Sequence, residues 1–357
     1  MEKCFCVFYS HSDSAFPAAG SSRDEGCQES MKISIEALKP WAAPALFALA
    51  LIYPAMKPSV YHLDVMVSTG IFMILALGLN VIVGYTGILN LGYAAFFAVG
   101  AYAYALANIH FGLPFWIGLW IAAGTGALFG MLLAWPALRL GGDYLAIVTL
   151  GAGEIVRIVL NNLDGITGGP NGLLGIAHPS FGILPVKFSV HPKPYYYLVL
   201  ILLVILLWAL RRLEQSRLGR AWVALREDEL AAGCMGINPV WAKLSAFGIS
   251  GFIAGIAGSV FASKQGTISP DSFDFILSVM VLAMAVLGGL GNRAGVLLGA
   301  FLLSVLPELL RGFDTYRMLI FGIAMILIML FRPQGLLGEI RHREEFKMRK
   351  EKTDETA

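Results

Sequence analysis

Apolar residues run in long stretches from about residue 40 to residue 331, and glycine, proline, asparagine and charged residues break these stretches at short intervals. The longest uncharged stretch, residues 65–138, has 74 residues and no Asp, Glu, Lys or Arg. A helix needs about 20 mostly apolar residues to span a bilayer, so this stretch alone has room for about three spans. The pattern predicts an all-α, polytopic integral membrane protein.

The breaks divide the chain into about ten predicted transmembrane helices. Their predicted ranges are 40–56, 63–84, 87–108, 114–137, 144–163, 195–210, 243–263, 274–291, 295–311 and 318–331. The last two are short for a full span, so we expect them to tilt, to pair or to be partly re-entrant. Small residues at Gly126-xxx-Gly130, Gly251-xxx-Gly255, Ala254-xxx-Gly258 and Gly295-xxx-Gly299 predict close helix packing.

Composition supports the same class. The chain is 57% apolar and only 14% charged, whereas soluble domains carry about 25% charged residues. Soluble enzymes, nucleic-acid binding and secreted disulfide scaffolds are therefore set aside.

Basic residues concentrate on one side of the predicted spans. That side contains residues 211–226, with five Arg, and the tail from residue 332 to 352. Because cytoplasmic loops are enriched in Lys and Arg, we expect both termini in the cytoplasm.

Three parts of the chain differ in character. Residues 1–30 are polar, rich in Ser and Gly, and lack the apolar core of a signal peptide, so we interpret them as a disordered extension or a misassigned start. Residues 31–338 form the predicted membrane domain, and residues 339–357 form a charged cytoplasmic tail.

One loop between predicted spans alternates charged and apolar residues in a way that suits a short helix outside the hydrocarbon, at about residues 217–236. It resembles the coupling segment of ABC-importer permeases, whose signature is Glu-Ala-Ala, three residues, then Gly. Leu230 is inserted after the glutamate and the downstream Ile-x-Leu-Pro is missing, and a plain interfacial helix explains the same composition. The candidate coupling residues are Arg226, Glu227, Glu229, Ala231, Ala232 and Gly236.

Several further motifs occur in a fixed order. They are Gly84-Tyr-Thr-Gly-Ile-Leu-Asn-Leu-Gly92, Gly153-Glu-Ile-Val-Arg157, Thr167-Gly-Gly-Pro-Asn-Gly172, Ile268-Ser-Pro270 and Val286-Leu-Gly-Gly-Leu-Gly291. Together they resemble the LivM-type permeases of branched-chain amino acid importers, over about residues 60–340. The resemblance implies a second, related permease, two P-loop ATPase subunits in the cytoplasm and a periplasmic substrate-binding protein, all at a bacterial inner membrane.

Glu154 and Arg157 lie three residues apart in the middle of a predicted span, so they share one helix face and can neutralise one another. A charge at mid-membrane costs at least about 2.5–3.5 kcal/mol on insertion scales, so we expect the pair to face the bundle interior. Two roles stay open for it, a structural ion pair or a gating and pathway-lining element.

The residues Thr167, Gly168, Gly169, Pro170 and Asn171 open the long connection of residues 164–194. They are candidates for a gate or a docking loop, and an ordinary turn explains them equally. Asn80 and Asn90 lie in the uncharged stretch. Such residues more often bridge helices than line a pathway.

No Gly-x-x-x-x-Gly-Lys-Ser/Thr motif occurs in the sequence, so this chain has no P-loop. The ATP-Mg that the family uses would bind to partner subunits, and we expect no cofactor or metal on this chain. We predict import of leucine, isoleucine and valine. Two alternatives stay open, a permease for urea or short amides and, from another class, an ion-coupled secondary transporter in which Glu154 cycles a proton.

Overall fold

The computed structural model describes residues 59–137, 143–179 and 192–309, together with residues 54, 322, 335 and 336. Residue 54 belongs to a separate unit, Met1–Pro58, and the following description concerns the unit that begins at Ser59. The predicted extension 1–30, nearly all of the predicted helices 40–56 and 318–331, and the tail 339–357 lie outside the described residues, and so do both termini.

The described residues are mostly helical. The helices are α1 (Val60–Asn80), α2 (Tyr93–Phe111), α3 (Phe115–Ala137), α4 (Asp143–Asn162), α5 (Asp164–Thr167), α6 (Pro192–Glu214), α7 (Arg217–Glu227), α8 (Glu229–Cys234), α9 (Pro239–Gln265), α10 (Phe275–Gly288) and α11 (Arg293–Leu309). A π-helical turn, Val81–Tyr85, continues α1, and 3₁₀ turns form at Gly169–Asn171 and Pro270–Phe273.

Seven helical segments among the described residues are long and apolar enough to cross a membrane. They are Val60–Tyr85, Tyr93–Phe111, Phe115–Pro136, Tyr144–Asn162, Pro192–Glu214, Pro239–Gln265 and Pro270–Gly288. The described part of α11 has 17 residues and reaches the edge of the described range, so the prediction of a short span there stays a prediction. The prediction of a multi-pass helical protein is confirmed, whereas the count of about ten also depends on segments outside the described residues.

The start of α2 differs from its prediction. The predicted span began at residue 87, but the helix begins at Tyr93. Gly87 has a φ of 71°, a left-handed conformation that interrupts a right-handed helix. The side-chain oxygen of Asn90 then accepts the backbone N–H of Gly92 at 3.0 Å, which favours a turn over a continuous helix.

A short strand pair departs from the purely helical prediction. Strand β1 (Leu173–Leu174) pairs antiparallel with β2 (Thr267–Ile268), with Leu173 opposite Ile268. This pair joins the loop after α5 to the loop after α9, and we call this end of the helical bundle the strand end. Because α9 runs from α8 to β2, the helices α7 and α8 lie at the opposite end.

The core is centred on α9, which packs along α3 and α2 through glycines. Gly126 of α3 meets the backbone of Gly251 on α9, and Gly100 of α2 meets the backbone of Gly255. A Cβ at any of these positions would collide with main chain of the neighbouring helix. Close approach of helix backbones is therefore what holds this part of the bundle together.

Candidate functional site

Helix α7 is fixed to the bundle by its apolar face. Trp222 is fully buried, and its indole N–H donates to the carbonyl of Ala242 at 2.8 Å and to the Ser245 hydroxyl at 3.1 Å. Its ring stacks on Tyr85 at the π-helical end of α1, with ring centroids 6.4 Å apart. The opposite, charged face of α7 stays exposed, as expected for an amphipathic helix outside the hydrocarbon.

The predicted single coupling helix, 217–236, is two helices. Asp228 has extended backbone angles, φ −156° and ψ 115°, and ends α7. Its side chain accepts the backbone N–H groups of Leu230 and Ala231 at 2.8 and 3.0 Å, so it caps α8. The chain leaves α8 through a turn in which Gly236 has a φ of 85°.

Three of the predicted coupling residues make contacts within this chain. The Arg226 guanidinium donates to the carbonyl of Gly84 at 2.8 Å. Ala232 is buried, so it does not share an exposed face with Ala231. Glu229 is exposed, but both of its carboxylate oxygens accept from Lys243 of α9 at 2.7 Å. These residues therefore attach α7 and α8 to the bundle.

The rest of α8 forms an exposed, largely uncharged surface. Leu230 and Met235 are each 83% exposed, the highest values among the exposed large apolar side chains of the described residues. Small residues between them keep the backbone accessible. We call this the α8 surface, and it consists of Leu230, Ala231, Gly233, Cys234, Met235 and Gly236. Glu227, also predicted as a coupling residue, is exposed at the end of α7.

Glu154 and Arg157 form an ion pair on α4. The Arg157 Nε donates to Glu154 Oε2 at 2.9 Å, and the two side chains are 34% and 33% exposed in the order Arg157, Glu154. The nearest oxygen of Asp271, in the 3₁₀ turn after β2, lies 3.8 Å from Arg157 Nη1, too far for a hydrogen bond. Neither charged side chain is fully covered by this chain, and Ile155 and Ile158 on the same helix are exposed.

The predicted gate residues form a folded turn at the strand end. The Thr167 hydroxyl is buried and donates to the carbonyls of Leu160 and Leu163 at 2.6 and 2.8 Å. Gly168 and Gly169 have φ of 74° and 57°. A Cβ at Gly169 would collide with the Asp164 carboxylate. Glycine therefore suits these positions because their φ is positive and the packing is close. Pro170 and Asn171 are exposed.

Asn80 and Asn90 are both buried and both bond to backbone. Asn80 Oδ1 accepts the N–H of Gly291 at 3.0 Å, so it links α1 to the turn before α11. Asn90 Oδ1 holds Gly92, as described above, and its amide nitrogen has no hydrogen-bond partner in the described part of the chain.

Sequence reasoning missed Asp271 and Trp222. Asp271 lies 114 positions after Arg157 in the chain, and no local pattern signals such a contact. Trp222 was visible only as one apolar residue of an amphipathic segment. Its complete burial depends on where α9 packs, which the local sequence does not indicate.

Comparisons with known proteins agree with this architecture. The family described as "Branched-chain amino acid transport system / permease component" matches residues 61–329. The chain is 48% identical over 317 residues to the high-affinity branched-chain amino acid transport system permease protein LivM of Salmonella typhimurium and to that of Escherichia coli. Each match covers 83% of this chain and 74% of the relative. The LivH permease of Escherichia coli is 25% identical over 292 residues, covering 75% of this chain and 91% of the relative. No solved structure matches the chain.

Proposed function

Because the chain belongs to the family of permease components of branched-chain amino acid transport systems, we propose that it is the membrane-spanning subunit of an ATP-driven importer for leucine, isoleucine and valine. The observation that carries this proposal is the 48% identity to LivM proteins over 83% of the chain, together with seven membrane-length helices. The importer would work in a bacterial inner membrane. Substrate would arrive on a periplasmic binding protein.

We propose that the α8 surface binds one of two cytoplasmic ATPase subunits, which use ATP-Mg. Two large apolar side chains at 83% exposure, flanked by small residues, suit contact with another protein. Trp222 and the Arg226 bond to Gly84 fix α7 to the bundle, so a push on α8 would reach α1 and α9 directly. This arrangement supports coupling through attachment to the bundle rather than through a freely hinged loop.

The second partner in this proposal is a related permease, which would pair with this chain as a heterodimer. Escherichia coli has both a LivM and a LivH protein that resemble this chain, and α4 supplies a face for such a contact. Only 17% of its apolar 18-residue stretch is buried, and it carries charges that are one-third exposed. Lipid would solvate those charges poorly, so a protein partner or an aqueous pathway suits this side of α4 better.

Uptake measurements test the substrate. Vesicles carrying this chain with its four proposed partners are loaded with ATP and offered labelled leucine, isoleucine, valine and urea. We expect uptake of the three amino acids and none of urea. Urea transport without leucine transport would contradict the substrate, and uptake that persists without ATPases and responds to a proton gradient would favour the ion-coupled alternative.

Charged substitutions on the α8 surface test coupling. Met235→Asp places a charge against a closely packed contact, so we expect normal insertion but a loss of about tenfold or more in uptake and in ATPase binding. Leu174→Asp is the matched control, because Leu174 is a large exposed apolar residue at the strand end. Equal loss in both variants would contradict the assignment of the α8 surface.

A further inference from the structure

Helix α6 has one side that packs on this chain and one side that does not. On the packed side, Val199 contacts Gly70 of α1. The other side is exposed and apolar over three turns, at Tyr197, Ile201, Val204, Ile205 and Trp208. Residues 194–210, which lie between Lys193 and Arg211, carry no charge. They extend about 25 Å, slightly less than the hydrocarbon of a bilayer, so the exposed side of α6 suits contact with lipid acyl chains.

This exposed side of α6 ends in one aromatic and two basic residues. Trp208, Arg211 and Arg212 are three and four positions apart, so they share one helix face. Trp208 is 61% exposed, and the guanidinium carbon of Arg212 lies 5.6 Å from the centre of its ring, a cation–π contact. Both arginines are exposed. Because tryptophan is enriched at the membrane–water interface, we place this turn of α6 at the level of the lipid headgroups.

The first turn of α7 adds two more arginines at this end of α6. Arg220 donates from Nη1 to the carbonyl of Gln215, one residue after α6, at 2.9 Å. Arg217 and Arg220 are exposed, and Leu218 between them is 45% exposed. Basic residues beside an exposed leucine are typical of a helix that lies on a membrane surface. We call this area the basic rim, and it consists of Trp208, Arg211, Arg212, Arg217, Leu218 and Arg220.

The described part of the chain leaves the charge of the basic rim without a counter-ion. Glu214 is the single acidic residue in positions 194–226, and it pairs with Arg293 at 3.0 Å. The next acidic residue, Glu227, lies at the opposite end of α7 from Arg217. Within the described residues, no ion pair joins a rim arginine to a carboxylate. Four guanidinium groups are therefore available to an anionic ligand.

We propose that the basic rim binds the phosphate headgroup of an anionic phospholipid whose acyl chains lie along the exposed side of α6. Arginine binds phosphate through several N–H donors at once. The apolar side of α6 leads directly into the rim, so headgroup and acyl chains meet matching surfaces on one helix. A zwitterionic headgroup fits less well, because its cationic group would meet four arginines and no free carboxylate of the described residues.

Two other exposed areas of the chain do not share this combination. The exposed side of α4 is interrupted by Glu154 and Arg157, and the α8 surface is largely uncharged. The basic rim is thus separate from the surfaces proposed for the second permease and for the ATPase. Bound lipid would hold the turn between α6 and α7 at the membrane surface. This inference does not depend on which substrate is transported.

Native mass spectrometry of the complete transport complex tests the lipid. The complex in detergent is titrated with phosphatidylglycerol or phosphatidylcholine, and the phospholipid bound to this subunit is counted. We expect phosphatidylglycerol to bind more tightly. Arg212→Gln should weaken it about fivefold and Arg211→Gln with Arg212→Gln about tenfold or more, because each basic residue near a membrane surface contributes about that much. Lys193→Gln is the matched control, because Lys193 is an exposed cation at the opposite end of α6.

A second variant and a second preparation keep lipid binding apart from other roles of these arginines. Arg217→Gln, on α7, should also weaken phosphatidylglycerol about fivefold. Equal binding of the two lipids by the wild type, or wild-type binding by both Arg212→Gln and Arg217→Gln, would overturn the proposal. In nanodiscs of phosphatidylcholine alone, loss of the ATPases or of the second permease from Arg212→Gln would show that the rim is a protein contact, and the lipid assignment would be wrong. Failure of wild-type leucine uptake would count against the proposed function and leave the lipid result standing.

Discussion

Helices α9 and α4 are both apolar enough to span a membrane, yet 78% of an apolar 18-residue stretch of α9 is buried in this chain, against 17% of the corresponding stretch of α4. The difference lies in their contact residues. Along α9, glycines at 251 and 255 let neighbouring backbones approach closely. Along α4, Gly151 has open space where a Cβ would lie, and isoleucines point outward. Apolarity thus predicts that a helix spans the membrane. The pattern of small residues predicts how much of that helix is buried by the other helices of this chain.

The largest expected effect comes from breaking the close contact of α9. Gly126→Leu would push a side chain into the backbone of Gly251, so we expect a loss of about 3 kcal/mol or more of stability and little folded protein. Gly124→Leu, on the exposed side of the same helix, has open space around it and is the control. Folded yield after detergent extraction, measured by size-exclusion chromatography, checks both. Similar yields would mean that the glycine contact does not hold α3 to α9.

The next effect concerns the charges of α4. Glu154→Gln and Arg157→Gln each leave one charge without its partner, so we expect each to lower folded yield and transport more than the double substitution does. Because both side chains are one-third exposed, a coupling of about 1 kcal/mol is expected rather than the value for a fully buried pair. A double-mutant cycle on stability measures it. Simple additivity would show that the pair is energetically uncoupled.

A smaller effect is expected at the outward face of α4. Ile158→Ala removes an exposed apolar side chain and leaves this chain's own packing almost unchanged. If a second permease covers this face, the substitution should weaken the free energy of binding to that partner by about 1–2 kcal/mol. Less of the partner should then co-purify with the chain. Leu128→Ala, also exposed but on α3, should leave it unchanged. The opposite ranking would place the partner on α3.

The smallest effect sharpens the same contrast at one glycine. The Cβ atom that Gly151→Ala adds has no other atom of this chain within 4 Å. In the isolated permease it should therefore stabilise α4 by about 0.5–1 kcal/mol, because glycine is unfavourable inside a helix. In the assembled transporter, a partner helix that approaches Gly151 closely would turn this gain into a loss. Thermal unfolding of the two preparations distinguishes the cases, and a gain in both would mean that no close helix contact forms at this position.

The sequence alone determined the class of the molecule and most of its spans, because a bilayer imposes a length and an apolarity that can be counted along the chain. It also placed Glu154 and Arg157 on one helix face, since three residues make nearly one helical turn. Local chemistry was harder to predict. The break at Asp228 depends on whether a side chain caps a new helix or continues the old one, and both fit the same residues.

Only the tertiary structure decided which residues face inward. Ala231 and Ala232 look alike in sequence, yet one is exposed and the other buried, because the position of α9 beneath α8 is set by contacts far along the chain. Asp271 approaches Arg157, and α10 and α11 close a cavity against α1, for the same reason. Such contacts join residues more than a hundred positions apart. Helical periodicity orders neighbours within one helix, but which helices meet is decided by how the whole bundle packs.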